Sequence, residues 1–276
     1  MSNMINVIDK IEKFLAYGRS RHTKSTKRYS TPTGVYYLPR HAYGDVIVQE
    51  IIKGNVFEPE IVECAREFIK PGTSVLDIGA NFGQMSVLFS GMGSNITVYS
   101  FEASAFVGNL LKLNTSYNCG NRVRPIIAAV HNSDGQLLNF PEPDFDNSEY
   151  QTYGSFGINY NKKNNSEETS ILTMTIDSMK IKEKISLMKI DIQGGDLFAM
   201  QGAVNTIMKH RMPIIFEYEY RMPVVSFQEY VDFVRSIDYS FERVISGYNY
   251  LILPNEYCTD GENSGTRNNI DILQAG

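Results

Sequence analysis

The residues best suited to chemistry in this sequence lie around a glycine-rich turn and an acidic residue that follows it. The segment SVLDIGANFG (residues 74–83) places Asp77 in an apolar run and then passes through Gly79 and Gly83 into a helical pattern. Glycines at such a turn let the backbone approach a ligand without an obstructing Cβ. Glu102 ends the next apolar run, roughly 20 residues downstream, where an acidic residue of a βαβ unit reaches the ribose hydroxyls of an adenosine ligand. The pair predicts an adenosine site; the alternative is a tight turn that needs glycine for geometry alone.

The middle of the turn distinguishes between two adenosine ligands. A dinucleotide site has a third glycine, so that a pyrophosphate can sit on the helix N-terminus. Here Ala80 and Asn81 occupy the middle of the turn. S-adenosylmethionine carries no phosphate, and its methionine end requires polar groups such as Asp77 and Asn81. The turn therefore favours a methyl donor over a nicotinamide dinucleotide.

A second polar group follows the apolar run of LMKIDIQGGDLF (residues 187–198). Asp191 ends this strand and Glu217 ends the next one, and the carboxyl ends of parallel strands form the ligand edge of an open sheet. Asp191 is the first candidate for a base or for a group that orients a hydroxyl, and Glu217 is the second. The alternative for Asp191 is a structural carboxylate fixed by backbone N–H groups of the following glycines. No third ligand at a convincing spacing accompanies the two acids, so no metal is predicted.

Alternating strand and helix patterns position these residues. The predicted strands are 74–78, 96–101, 123–130, 187–192 and 214–219, and the predicted helices are 59–70, 82–92, 104–117, 196–209 and 227–237. Ser226 and Glu229 form a capping box at the last helix, and the segments SFERVIS and YLILP are expected to close the sheet as an antiparallel pair. This alternation predicts a parallel sheet with helices on both faces.

Segments outside the alternation divide the chain into regions. Residues 1–57 are predicted to hold an amphipathic helix, the basic segment Arg19–Arg28 and a strand pair around GVYYLP. Residues 58–256 form the main domain, and residues 257–276 form a polar tail. Within the main domain, residues 141–170 are too long for an ordinary connection and are expected to form a lid-like loop or a disordered excursion. The basic segment is either a solvated linker or a cationic arm for an anionic substrate.

The overall composition restricts the class of protein. The chain has 276 residues, of which 42% are hydrophobic, enough for a full core. A net charge of −5 argues against a general nucleic-acid binder. Three widely spaced cysteines form no disulfide framework, the N-terminus lacks a signal-peptide pattern, and no apolar stretch is long enough to span a bilayer. We therefore expect a cytoplasmic protein, and the sequence leaves open whether it is a homo-oligomer.

Four segments of the chain together resemble a known family. The segments VLDIGANFGQMSVLF, VYSFEAS, LMKIDIQGGDLFAMQGA and PIIFEYE, in this order and spacing, resemble the FkbM family of S-adenosylmethionine-dependent methyltransferases. The resemblance implies an α/β class I methyltransferase fold, with a Rossmann-like, mostly parallel seven-stranded sheet and helices on both faces. An N-terminal helical extension precedes it. The resemblance also implies S-adenosylmethionine as cofactor and O-methylation of a hydroxyl on a sugar, in a glycan, polysaccharide or glycosylated metabolite.

The resemblance assigns roles to residues by their position in the motifs. The implied cofactor-binding residues are Asp77, Gly79, Asn81, Phe82, Gly83, Glu102, Ala103, Ala129 and His131. His131 is expected on the adenine side, although a lone histidine is also often structural. The candidate catalytic residues are Asp191 and Glu217, because of their places at the strand ends, and Gln193, because of its place in the family motif.

Gln193 departs from the family pattern, which has glutamate at this position. A glutamine can hydrogen-bond but cannot accept a proton as a base. If the family's glutamate is the base, this chain has lost it and could be a catalytically silent partner subunit. If that glutamate only orients substrate, glutamine can replace it. A nicotinamide-dependent dehydrogenase is the remaining alternative.

Overall fold

Twelve strands and seven α-helices lie in the part of the chain that the computed structural model describes, which is residues 26–40, 42, 44–141, 168–220 and 223–258. The strands are Thr26–Thr31 (β1), Gly34–Pro39 (β2), Ser74–Ile78 (β3), Thr97–Glu102 (β4), Val123–Ile127 (β5), Ala129–Val130 (β6), Leu137–Pro141 (β7), Glu168–Met174 (β8), Ile185–Ile190 (β9), Ile214–Glu217 (β10), Tyr239–Ser246 (β11) and Asn249–Pro254 (β12). The helices are Val46–Lys53 (α1), Pro59–Phe68 (α2), Gln84–Ser90 (α3), Ala105–Cys119 (α4), Asp196–Gln201 (α5), Val204–His210 (α6) and Phe227–Ser236 (α7).

The main sheet has seven strands in the order β11-β12-β10-β9-β3-β4-β5. The five strands from β10 to β5 are parallel, and β12 runs antiparallel between β10 and β11. The chain builds outward from β3 to β5 and then returns to place β9 on the other side of β3. This reversal makes the carboxyl ends of β3 and β9 the crevice where ligands bind in open α/β sheets. The predicted α/β class I methyltransferase topology is confirmed.

Alternating side chains of the strands form a separate core on each face of this sheet. Leu76 and Ile78 of β3 belong to the larger core, which also contains residues of α5, α6 and α7. Val75, which precedes Leu76 in sequence, belongs to the other core, with residues of α2 and α3. All five residues of β3 are buried, which is the pattern of a parallel strand covered on both faces. Residues with odd numbers in β3, including Asp77, therefore face the α2–α3 side.

The β1–β2 hairpin, which precedes the main sheet in sequence, packs in a small core of its own. Strands β1 and β2 pair antiparallel, as the sequence predicts, and Tyr36 and Leu38 of β2 pack with residues of α1 and α4. Helix α1 was not predicted; Asp45 caps its N-terminus and Gly54 ends it in the left-handed conformation. The predicted N-terminal helix and most of the basic segment lie outside the described residues. No helix of the described residues combines the length and the apolarity needed to cross a membrane.

Two predicted elements are divided in the structure. The strand predicted at 123–130 leaves the main sheet after Ile127, because Ile127 pairs with Glu102, the last residue of β4. Ala129 and Val130 then pair with β8, in a second sheet of order β6-β8-β7. The helix predicted at 196–209 is likewise interrupted between α5 and α6.

The segment predicted as a lid-like loop is shorter than expected at both ends. Strand β7 continues to Pro141 and strand β8 begins at Glu168, and the two pair antiparallel. Residues 142–167, which hold most of the predicted lid, lie outside the described residues.

At the other end of the domain, the capping box predicted at α7 is confirmed by reciprocal hydrogen bonds between Ser226 and Glu229.

Candidate functional site

An open cleft lies at the carboxyl ends of β3, β4 and β9. It encloses about 910 Å³ when the open solvent at its mouth is included. Of the residues with predicted roles, those that line it are Gly79, Asn81, Phe82, Glu102, Ala103, Ala129, Asp191 and Gln193. Residues from four separate parts of the sequence therefore share one cavity.

The turn after β3 is pressed against the end of β9. Gly79 has φ of 82°, and a Cβ on it would lie 1.8 Å from the carbonyl oxygen of Asp191. The N–H of Gly79 and the N–H of Ala80 both donate to the carbonyl of Phe101 in β4, at 3.0 and 2.8 Å. Glycine is thus required at position 79 for two reasons, the left-handed backbone and the absence of space for a side chain.

Backbone groups hold the carboxylate of Glu102 at the edge of the cleft. The N–H of Asn81 donates to Oε2 at 3.0 Å, and the N–H of Ser104 donates to Oε1 at 2.9 Å. Burial raises the pKa of Glu102 to about 7, although these backbone donors and that of Ala103 favour the ionised form. The Oδ1 atom of Asn81 is buried and has no hydrogen-bond partner among the described residues. Asn81, which lines the cleft, therefore has one buried acceptor atom whose hydrogen-bonding capacity is unused.

A buried lysine lies between the turn and the end of β9. The Nζ atom of Lys189 is 3.3 Å from Asp191 Oδ2, 3.3 Å from the carbonyl oxygen of Gly79, and 3.9 Å from Asp77 Oδ1. Burial alone lowers the pKa of Lys189, but the neighbouring carboxylates of Asp191 and Asp77 outweigh it, and the pKa is raised above its ordinary value. Sequence reasoning missed this residue, although a lysine inside an apolar strand was a signal that it is paired.

Gln193 connects two carboxylates on the far side of the cleft. Its Nε2 atom donates to Asp191 Oδ1 at 3.2 Å and to Glu217 Oε2 at 3.0 Å. Burial, followed by the charges of Asp191 and Asp196, raises the pKa of Glu217 to about 9. The glutamine amide thus donates to both of its acidic neighbours, which an ionised glutamate cannot do.

Glu58 is a further carboxylate of the cleft that sequence reasoning missed. It precedes α2 with φ of 49° and ψ of 62°, and its side chain does not cap that helix. Instead, its Oε1 accepts a hydrogen bond from Asn249 at 2.9 Å, and the side chain lines the cleft. Burial, and then the charge of Asp191, raises the pKa of Glu58. A glutamate next to Pro59 gives no signal in sequence for this placement.

Four residues with predicted roles do not line the cleft. Asp77 is fully buried, where it accepts a hydrogen bond from Ser86, and Gly83 faces Leu111 and Thr115. His131 is buried and stacks on Phe198 of α5, with ring centroids 5.0 Å apart. Glu217 reaches the cleft through Gln193. Among the described residues, no group of three or more His, Cys, Asp or Glu has the geometry to hold a metal ion.

Comparison with known families identifies the fold's functional class. The family described as "Methyltransferase FkbM domain" matches residues 77–241, more than half of the chain. The chain belongs to the FkbM methyltransferase family. This membership confirms the predicted family and the cofactor that goes with it, S-adenosylmethionine. A comparison with curated proteins finds no match.

Solved structures of methyltransferases are distantly similar to this FkbM-family chain. The methyltransferase FkbM from Methylobacillus flagellatus is 15% identical, with a TM-score of 0.43; the match covers 76% of this chain and 60% of that one. Precorrin-6y C5,15-methyltransferase from Geobacter metallireducens is 11% identical, with a TM-score of 0.43, and the match covers 71% and 89% of the two chains. Fibrillarin from Aeropyrum pernix, solved with bound S-adenosylmethionine, is 11% identical, with a TM-score of 0.40 and coverage of 83% and 81%.

The residues of the cleft fit the cofactor of the FkbM family. Gly79 keeps the turn free of a side chain that would reach the end of β9, and Asn81 offers a buried oxygen atom that no described residue satisfies. Glu102 is a half-buried acceptor at the end of β4, where a ribose diol binds in βαβ nucleotide sites. The site therefore has a polar acceptor for each polar end of the ligand.

Proposed function

We propose that this FkbM-family methyltransferase transfers the methyl group of S-adenosylmethionine to a hydroxyl of a sugar. The observation that carries the proposal is the shared cleft, in which the cofactor turn and the carboxylate of Asp191 face one cavity. When bound, S-adenosylmethionine supplies an activated methyl group and its own leaving group. The protein's task is then to align the acceptor oxygen and to manage its proton.

The cofactor half of the cleft would hold the ligand by polar contacts at both ends. Glu102 would accept hydrogen bonds from the two ribose hydroxyls, and Asn81 would use its free oxygen for the methionine end. Ala103 and Ala129 line the cleft and would lie along the adenine. Asp77, Phe82 and Gly83 would support the turn, and the predicted adenine-side role of His131 has less support because its ring is buried against Phe198.

The acceptor half would position the hydroxyl and take its proton. Asp191 is the preferred base because it lines the cleft and its side chain is 22% exposed. Glu217, with a pKa raised to about 9 by burial, is protonated near neutral pH and would serve as a hydrogen-bonding partner instead of a base. Gln193 would hold both acids in place, and this bridging role supports an active enzyme over a silent subunit.

The sugar acceptor is supported by the family resemblance and by the polarity of the acceptor half. Glu58, Asp191 and Gln193 give the cleft several hydrogen-bond acceptors and an amide. Such groups match the many hydroxyls of a carbohydrate. The domain limits at residues 58–256 and a cytoplasmic location remain predictions of the sequence, which leaves the oligomeric state open.

The first experiment measures cofactor binding and methyl transfer separately. Calorimetry with S-adenosylhomocysteine, the demethylated product, should give binding to the wild-type chain. Labelled S-adenosylmethionine with a panel of neutral methyl glycosides and oligosaccharides should then give a labelled sugar. Asp191→Asn should reduce this transfer by about 10²–10⁴-fold, the usual contribution of a general base. The same variant should retain its fold, as judged by thermal unfolding.

Each negative outcome has a distinct meaning. If the chain binds neither S-adenosylmethionine nor S-adenosylhomocysteine, the methyltransferase proposal is wrong. Binding without transfer to any saccharide of the panel would favour the silent partner subunit. A larger thermal stabilisation by a nicotinamide dinucleotide than by S-adenosylhomocysteine would favour the dehydrogenase.

A further inference from the structure

The ammonium group of Lys189 connects the two halves of the cleft. Lys189 is next to last in β9, only 4% of its surface is exposed, and it lines the cleft. Three oxygen atoms within 4 Å of its Nζ come from different parts of the site: the carbonyl of Gly79, the carboxylate of Asp191 and the carboxylate of Asp77. The ammonium group donates hydrogen bonds to Gly79 and Asp191 at 3.3 Å, and Asp77 Oδ1, at 3.9 Å, is within ion-pair distance.

The register of the sheet explains why one lysine reaches all three groups. Asp77 of β3 and Lys189 of β9 are direct partners in the parallel ladder, so their side chains leave the sheet on the same face. Gly79 and Asp191 each lie two residues beyond these partners. The N–H of Asp191 also donates to the carbonyl of Ile78 at 2.9 Å. The two strand ends are therefore joined by one backbone hydrogen bond and by the lysine.

We infer that Lys189 is a positioning residue that holds the cofactor turn and the acceptor carboxylate of Asp191 in a fixed relation. The carbonyl of Gly79 and the carboxylate of Asp191 are bound by the same ammonium, so neither can move without the other. A purely structural role differs from this: Lys189 would then serve only to neutralise the buried carboxylate of Asp77. The inference rests on the proposed function, because it concerns how the chain binds S-adenosylhomocysteine and presents Asp191.

A double variant separates the positioning role from charge neutralisation. Lys189→Met alone removes the cation and leaves the carboxylate of Asp77 buried without compensation, so a lower Tm is expected. Combining it with Asp77→Asn removes both charges, and the asparagine can still accept the hydrogen bond from Ser86. The double variant should recover most of the lost Tm.

Cofactor affinity provides the second readout. Both variants should bind S-adenosylhomocysteine about tenfold more weakly than wild type or worse, because the turn and Asp191 are no longer joined. Lys209→Met is the matched control: its Nζ donates to the carbonyl of Ile181 at 2.9 Å, and it does not line the cleft. This control should bind S-adenosylhomocysteine like the wild type.

The outcomes distinguish the inference from the proposed function. A double variant that recovers both Tm and wild-type affinity would overturn the positioning role, and so would Lys189→Met binding as tightly as wild type. Wild-type protein that fails to bind S-adenosylhomocysteine would instead overturn the proposed function. If the Lys189 variants do not fold, wild-type protein labelled with ¹³Cε-lysine provides the test. The Lys189 resonance should shift on saturation with S-adenosylhomocysteine, and an unchanged resonance would contradict the inference.

Discussion

The two halves of the cleft are built from different kinds of contact. In the cofactor half, backbone N–H groups hold the carboxylate of Glu102, and a glycine brings the turn close to the neighbouring strand. In the acceptor half, the contacts are between side chains. Gln193 donates hydrogen bonds to Asp191 and Glu217, and Lys189 forms an ion pair with Asp191. The backbone-built half needs a fixed loop shape. The half built from side chains needs a balance of charges and donors that individual substitutions can change.

This difference predicts which measurement each substitution should affect. Changes in the cofactor half should reduce affinity for S-adenosylhomocysteine, because they alter the surface that contacts the ligand. Changes in the acceptor half should reduce methyl transfer and leave that affinity nearly unchanged. Lys189, which belongs to both halves, is the exception and should affect cofactor affinity.

The largest effect is expected from Gly79→Ala. The new Cβ would lie 1.8 Å from the carbonyl oxygen of Asp191, and the residue would still need φ of 82°. Strain and overcrowding together should cost roughly 2–5 kcal/mol of unfolding free energy. Binding of S-adenosylhomocysteine should be lost in the fraction that folds. Chemical denaturation and calorimetry measure the two effects.

Gly135→Ala is the matched control for the backbone strain at position 79. Gly135 has φ of 73°, but a Cβ on it would meet nothing within 4 Å. Its substitution should lower the free energy of unfolding by about 1 kcal/mol, because only the left-handed backbone is strained. The affinity for S-adenosylhomocysteine should be unchanged. Equal losses of stability in the two variants would show that close packing of the turn on β9 is unimportant.

A smaller effect, on cofactor affinity alone, is expected from Glu102→Gln. An amide cannot accept from both ribose hydroxyls, and loss of a hydrogen bond to a charged group should weaken binding roughly 10- to 150-fold. Because burial raises the pKa of Glu102 to about 7, wild-type affinity should decrease as the pH falls through 7. Well below this pH the dissociation constant should rise about tenfold per pH unit, since the ligand binds the ionised form.

Glu102→Gln also serves as the control for this pH profile. The variant has no carboxyl group at position 102 to titrate, so its weaker binding should be independent of pH between about 5 and 8. Calorimetry across that range gives both curves. A wild-type profile that is flat through 7, or a variant that keeps the wild-type slope, would assign the titration to another group.

The smallest effect is expected from Gln193→Glu, in the acceptor half. The new carboxylate would lose both donated hydrogen bonds and add negative charge beside Asp191 and Glu217. We expect a loss of about 1–2 kcal/mol of stability. Methyl transfer to the saccharide that wild type labels should fall about tenfold, and affinity for S-adenosylhomocysteine should stay within about twofold.

Gln201→Glu is the control for the added charge. Gln201 is exposed, and its side chain contacts Asn132 instead of the cleft. Its substitution should change neither methyl transfer nor affinity. Higher turnover in Gln193→Glu than in wild type would reverse the interpretation of the acceptor half, because it would mean that the glutamine had replaced a working base.

The features that the sequence predicted correctly are those written in local patterns. The apolar run of β3 and the helical periodicity of α7 each involve residues that are close together in sequence. The capping pair, Ser226 and Glu229, is only three residues apart. The strands and their approximate ends followed from these patterns. The division of the strand predicted at 123–130 did not follow from local patterns. Strand β5 ends where its neighbour β4 ends, and the sequence does not show which strand is the neighbour until the sheet is assembled.

By itself, the sequence determined the family, the order of strands and helices, and the glycine turn with Glu102, since each depends on residues close together in the chain. Only the tertiary structure decided which side chains share the cleft. It brought Glu58 and Lys189 into the site, kept Asp77 and His131 out of its lining, and made Gln193 a donor to two acids. These placements depend on strand register and on the burial of charge. Both are properties of segments that are distant in sequence and become neighbours only in the folded sheet.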